Sequence, residues 1–408
     1  MARVWLALCG AALYAPAQAQ DPALAQNGQS AAPVQMVRAH MVETLARQPN
    51  YTCLETVERS IRAGKEKAFR LLDTVRLEVA LVDGNEMFAW PGSKRFEDTD
   101  MRTFVPTGMF GSGDFALYAK AVFGGRTTEV EYKGEAKLGE RPAARFDFRV
   151  PVSSGIRIRS VDAAATVGYH GSFYAEEGTE DALRLEVEAD ALPEKLDLRQ
   201  VSDAMEYQRT RIGSGNFLLP SVSETVMVDL RGAASRNVVR FSACHEFAGE
   251  STLKFGDDDD AAEASSTSSA AAKQELKLPK NAEVALRLVE EIDTDKAAVG
   301  DPVKAALASD VKEKGRVLLP KGVEVSGRIV RLEHYRDFTV LGLMFEEAES
   351  DTAHVKLDLT MERAMGSDTL AQAQRWGASS PPRPHEGLVP LRPGHLRLSQ
   401  GVVMFWRN

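Results

Sequence analysis

The sequence predicts a mainly β protein made of two antiparallel regions, and three observations carry that reading. Short runs of alternating apolar and polar residues recur from about residue 51 to 245 and again from 276 to 364. Turn signals such as Asp83-Gly84-Asn85 and Pro320-Lys321-Gly322 punctuate them. Two stretches alone, Pro33 to Gln48 and Phe115 to Val122, read as helices. A chain of 408 residues exceeds one small core, which favours two or three domains. With 44% hydrophobic and 27% charged residues it has the composition of a globular protein.

Residues 1–19 have the layout of a secretory signal peptide. Arg3 supplies the positive charge, Val4 to Leu13 a short apolar run, and Ala15-Pro16-Ala17-Gln18-Ala19 a small-x-small cleavage pattern, with the cut between Ala19 and Gln20. That run is too short to span a bilayer, and no later window is apolar enough, so a transmembrane protein is not expected. Cys9 follows Leu8 rather than a small residue, so it reads as part of the signal and not as a lipid anchor. The expected location is the periplasm or another exported site.

The first helix places Val34, Val37, Met41, Val42 and Leu45 on one face, and Pro49-Asn50 ends it. Tyr51 then opens a strand with Tyr51, Cys53, Glu55, Val57 and Arg59 on one side. Arg70 to Val82 and Glu86 to Trp90 form a hairpin around Asp83-Gly84-Asn85. After the second helix come candidate strands Thr127 to Tyr132, Ala143 to Val150, Ile156 to Val161 and Gly171 to Ala175. Leu183 to Ala189, Asp203 to Ile212, Ser221 to Leu230 and Asn237 to His245 complete a first domain, residues 33–255.

Residues 256–275 read as a linker, because Asp257-Asp258-Asp259-Asp260 repel one another and the Ala/Ser/Thr run after them has no apolar anchor. The acidic run lacks the glycine and distal glutamate of a calcium loop. Residues 276–364 alternate again, through Val284, Leu286, Leu288, then Val355, Leu357, Leu359, and suggest a small barrel or sandwich. Residues 365–408 contain the polyproline-like Ser379 to Pro384 and end in the apolar run Val402 to Arg407. That end is either a closing edge strand of the second region or a docking segment for a partner. The linker predicts separate cores with a small or absent interface.

Cys53 and Cys244 stand near the two ends of the first region, and in an exported chain a disulfide joining its first and last strands is expected. Two separate buried thiols are the alternative. Catalysis by Cys244 with His245 is disfavoured, since neighbours on a strand point to opposite faces. Net charge −9 argues against nucleic acid and against broad adhesion to anionic lipid. The chain has no G-x-S-x-G, P-loop, H-E-x-x-H or C-x-x-C, and its seven histidines are scattered. No catalytic, metal or cofactor residues are therefore assigned, and the expected protein is not an enzyme.

In order of elements, residues 33–255 resemble the LolA/LolB/RseB group of periplasmic lipoprotein-handling proteins. The shared plan is an N-terminal helix, a strand opening Tyr51-Thr52-Cys53-Leu54-Glu55-Thr56-Val57, the hairpin from Val82 to Trp90, and Leu218-Leu219-Pro220 late in the sheet. The resemblance implies an unclosed half-barrel whose concave face and covering helices bind acyl chains. The cysteine pair and the stretch from Ser153 to Val167 fall outside the pattern. The second region is similar to the C-terminal barrel of TrbI-type secretion subunits, over Val299-Gly300-Asp301-Pro302-Val303-Lys304-Ala305 and Val317 to Ile329. Two functions are expected from different classes: an envelope protein binding a lipid, lipoprotein or apolar ligand in the half-barrel, or an envelope scaffold or secretion-associated protein binding other proteins through both regions.

Overall fold

The computed structural model describes residues 22–93, 96, 104, 117–160, 163–247, 274–335, 338–350, 353–364, 384–392 and 397–408. The expected signal segment with Ala19 and Gln20, the linker's Asp257 to Asp260, and Ser379 to Arg383 lie outside these residues. Helix α1 (Pro22–Ala46) starts earlier than expected and contains Pro33. The sequence reading took Pro33 as the first helical position, where proline's missing N–H is tolerated.

The first region runs β1 (Tyr51–Arg62), β2 (Arg70–Val82), β3 (Asn85–Ala89), α2 (Leu117–Gly124), β4 (Glu129–Leu138) and β5 (Arg141–Val150). A hairpin of β6 (Ile156–Arg159) and β7 (Ala164–Val167) follows, where one strand was expected. The chain continues through β8 (Tyr169–Glu176), β9 (Ala182–Ala189), β10 (Leu198–Ile212), β11 (Gly215–Asp229) and β12 (Ala234–Glu246). Ten of these strands form an antiparallel half-barrel in the order β3-β2-β1-β12-β11-β10-β9-β8-β5-β4. The first and last long strands, β1 and β12, therefore lie side by side in its middle. The β6–β7 hairpin packs Ile158 and Val167 with Leu196, Leu198 and Val201 in a satellite core.

The second region comprises β13 (Gln274–Leu276), β14 (Glu283–Leu288), β15 (Ile292–Asp293), β16 (Pro302–Leu307), β17 (Val311–Glu313), β18 (Arg316–Leu319) and β19 (Glu324–His334). It ends with β20 (Thr339–Glu349), β21 (Ala353–Lys356), β22 (Thr360–Ala364), β23 (Gly387–Leu391), β24 (Arg397–Leu398) and β25 (Val403–Arg407). Its main sheet has the order β13-β21-β20-β19-β16-β14-β25-β22, with β23 also paired to β20. The C-terminal apolar run is thus a strand of this sheet, but an internal one, with β14 on one side and β22 on the other. Its Trp406 is fully buried, edge-on to Phe345 at 5.3 Å. Gly342 leaves the space in which buried Arg331 and Glu386 pair at 2.7 Å; a Cβ there would stand 2.5 Å from the Glu386 carboxylate.

The expectation of a small or absent interface is overturned. β2 extends past its short partner β3, and along that uncovered edge the Arg76 N–H donates to the Val299 carbonyl while the Val299 N–H donates to Thr74. Arg76 forks onto Asp301 at 2.6 and 2.8 Å and also reaches the Lys296 carbonyl. Gly300, at φ +99°, lies so close to the Arg76 carbonyl and the Trp90 ring that a Cβ would approach them to 2.3 and 2.8 Å. Arg328 covers the Trp90 ring at 5.4 Å. One hydrophobic cluster spans both regions, from Val75 and Leu77 to Val299, Val325 and Trp406. A polar linker sets how the regions are tethered and leaves open whether an unpaired strand edge recruits the second one.

Candidate functional site

Strand register shows which residues share the inner face of the half-barrel. One row crosses it as Val75, Val57, Val239, Ser223, Met205, Leu185, Phe173, Phe146 and Tyr132. A parallel row runs Asp73, Arg59, Asn237, Thr225, Asp203, Val187, Gly171, Phe148 and Val130. Both rows are apolar and aromatic on the β9-β8-β5-β4 wing. On the β2-β1-β12 wing the second row is polar.

Helices α1 and α2 cover the aromatic wing. Val37 and Met41 of α1 and Tyr118, Val122 and Phe123 of α2 pack into one cluster with Phe146, Phe148, Tyr169, Phe173 and Leu185. Phe146 stacks on Phe173 at 4.8 Å, and Phe123 meets Phe173 edge-on at 5.0 Å. Arg38 of α1 ties the two helices together by donating to the carbonyls of Phe123 and Gly125 at the end of α2. His40 and Arg209 both hold Asp181, at 2.8 and 2.6 Å, fastening α1 to the sheet. Burial pushes the Asp181 carboxyl up, but these hydrogen bonds and charges outweigh it and hold it below its ordinary value.

On the other wing, Arg59 donates to Asp73 from two nitrogens, one at 2.6 Å, in a buried pair. Asp203 accepts from Tyr118 at 2.8 Å and from Thr225. Burial nevertheless raises its carboxyl above the ordinary range. Glu55 differs from these. It is 0% exposed, and neither of its oxygens has a hydrogen-bond partner among the described residues. Its lateral neighbours in the ladder are Leu77 and Phe241. Burial, reinforced by the charge of Glu86, raises its carboxyl well above the ordinary value. The buried hydroxyls of Tyr207 and Ser223 likewise have no partner among the described residues. Burial also raises Tyr51 and Tyr207, with Glu86 and Tyr207 adding to the effect on Tyr51.

The two cysteines singled out from the sequence are brought together. Thr52 faces His245 and Leu54 faces Ser242, so a bulge sets Cys53 against Ala243 and Cys244. Cys53 and Cys244 are disulfide-bonded with Cα atoms 4.1 Å apart, and Ala243 takes the left-handed φ of +50° that the bulge requires. Sequence reasoning did not single out Glu55, Arg59 or Asp73 as functional. The signal was present, since alternation places charged Glu55 and Arg59 on the same side as Tyr51, Cys53 and Val57.

The outer face carries a groove of about 810 Å³ whose lining includes Glu131, Arg145, Asp147, Ser172, Arg184 and Glu186. These charges satisfy one another: Lys133 pairs with Glu131 at 2.7 Å, Arg145 with Asp147 at 3.0 Å and Arg184 with Glu186 at 2.8 Å. Among the described residues no group of three or more His, Cys, Asp or Glu is placed to hold a metal, and no helix is long and apolar enough to cross a membrane.

No protein-family model matches the chain, and no curated protein does. Solved structures similar to it include these two. One is a LolA superfamily protein from Nitrosomonas europaea, at 10% identity and a TM-score of 0.27, covering 53% of this chain and 94% of that one. The other is a DUF1329 family protein from Desulfovibrio piger, at 12% identity and a TM-score of 0.29, with the same two coverages.

Proposed function

We propose that this is an exported, non-enzymatic binding protein of the cell envelope that takes a lipid, lipoprotein or other amphiphile on the inner face of its half-barrel. The observation that carries the reading is Glu55, a fully buried carboxyl without a hydrogen-bond partner among the described residues, flanked across the ladder by Leu77 and Phe241. A buried polar group left unpaired is costly, and a ligand that completes it is one reason for its being kept. The reading narrows to the β2-β1-β12 wing, because stacked rings and two helices fill the other. Phe104 lies over the β3 end of that wing, edge-on to Phe88 at 6.5 Å and to Trp90 at 5.1 Å. The disulfide and the signal-like first nineteen residues support an exported location.

Native mass spectrometry of protein purified without detergent tests the reading. A co-purifying amphiphile that is lost on denaturation is the expected result. Protein that is consistently empty, and that takes up no added aliphatic probe, overturns it.

A second reading, a scaffold binding proteins through both β regions, draws on the joint at Arg76, Val299 and Asp301. In it the two sheets would present one composite surface held in fixed orientation. Crosslinking in intact envelopes separates the readings: partners retained only when both regions are present favour the scaffold.

A further inference from the structure

We propose that the polar end of the half-barrel's ligand is a primary ammonium group, bound directly by Glu55. The inference rests on the reading above and specifies the ligand's head.

Glu55 is enclosed by its own sheet on terms that give it no hydrogen-bond partner among the described residues. Leu77 and Phe241 flank it across the ladder, and Cys53 and Val57 precede and follow it on the same face. Glu86, Leu81 and Tyr51 form the adjoining end of this face, where the register pairs Leu81 with both of the others. The charge of Glu86 acts on both Glu55 and Tyr51, and Tyr207 acts on Tyr51, so Glu86 and Tyr51 link the Glu55 end of the face to Tyr207. Tyr207 brings a second buried polar atom without a partner among the described residues.

The chemistry that completes this set is a compact cation with several donors. A primary ammonium carries three N–H bonds, two for the Glu55 oxygens and one for a phenol oxygen, and its charge offsets those of Glu55 and Glu86. Aromatic faces favour the same charge. An anionic head would instead meet like charge from Glu86. Among the chain's own cations, Arg59, four residues along the strand, is bound to Asp73, and Lys120 of α2 lies beside Gly84 in the β2–β3 turn. Binding moves one proton: Glu55 gives its own to solvent as the ammonium takes its place. Affinity therefore rises with pH, by up to tenfold per unit, while free Glu55 is protonated and the amine is charged.

Isothermal titration calorimetry of the full chain with octylammonium, octanol and octanoate tests the inference. Octylammonium should bind at least tenfold more tightly than octanol, and octanoate more weakly still. Glu55→Gln should lower octylammonium affinity at least tenfold, abolish its rise with pH, and leave octanol unchanged. If that variant does not fold, Tyr207→Phe should show the same contrast at about threefold. Tighter binding of lysophosphatidylethanolamine than of octylammonium assigns the amine to a lipid headgroup, and the reverse order to a free alkylamine. Equal affinities for octylammonium and octanol, or a Glu55→Gln protein that binds octylammonium as before, overturn the inference while leaving the half-barrel reading standing. Failure of every aliphatic probe overturns both.

Discussion

On β5 and β8 the inward residues include Phe146, Phe148, Tyr169 and Phe173, and α1 and α2 fill the space above them; on β1 and β2 they include Cys53, Glu55, Arg59 and Asp73 among valines and leucines, and among the described residues none from α1 or α2 joins their cluster. The two wings continue the same rows of the same sheet. The aromatic wing is held by area and interdigitation, which are non-directional and tolerate small shifts. The mixed wing is also part of an apolar cluster, and adds to it directional and covalent links, namely one disulfide and one two-bond ion pair. The difference between the wings lies in polarity: a carboxyl such as that of Glu55 stands among apolar neighbours on the mixed wing, whereas rings occupy the aromatic one.

Three substitutions sharpen that contrast. The largest effect is expected at the disulfide, which closes a loop with a sequence separation of 191 residues. Replacing Cys53 and Cys244 together by serine should cost up to about 5 kcal/mol in the chain-entropy picture. Denaturant unfolding with and without reductant measures it, and wild-type protein whose midpoint ignores reductant would contradict the fastening role. Next, Phe173→Ala removes a ring that meets Phe123, Phe146 and Phe148 and should cost about 3–5 kcal/mol. Near-ultraviolet circular dichroism should change with it, since several stacked rings lose their packing.

The smallest effect is expected at the clamp on α1. Asp181→Asn should cost about 2 kcal/mol at neutral pH. A carboxyl held below its unfolded-state value stabilises the fold above that value and loses the contribution as pH falls through its folded value. The gap between variant and wild type should therefore close in acid, on the low side of ordinary aspartate titration. Thermal unfolding from pH 7 to pH 3 follows it, and a gap that stays constant would show that Asp181 acts through shape alone.

Much of the sheet was legible because alternation is a local property. Tyr51, Cys53, Glu55, Val57 and Arg59 were placed on one side by period alone, and all five are buried together. Strand bounds were read short where turns and bulges interrupt the rhythm: the candidate strand starts at Ser221, whereas β11 begins at Gly215 and passes through Pro220 at a register shift. The split of Ile156 to Val167 into a hairpin was missed, because its strands are short and β7 begins in small alanines. Long-range pairings are a different matter. Nothing near Val299 announces that its backbone will meet Thr74 and Arg76, since that contact depends on β3 being shorter than β2. The site was half legible: pattern exposes a charge on a largely apolar face, but its lack of a partner among the described residues emerges only from the folded surroundings.

The contact at Val299 also bears on solubility. Where β2 outruns β3, its outward N–H and C=O groups form a template onto which any extended chain could add. The second region occupies that template with its own backbone, and the Arg76–Asp301 fork holds it there. Seen this way, the segment from Val299 to Asp301 is a stopper against strand-by-strand polymerisation, and proteolytic loss of the second region would expose a bare strand edge on which aggregation could start.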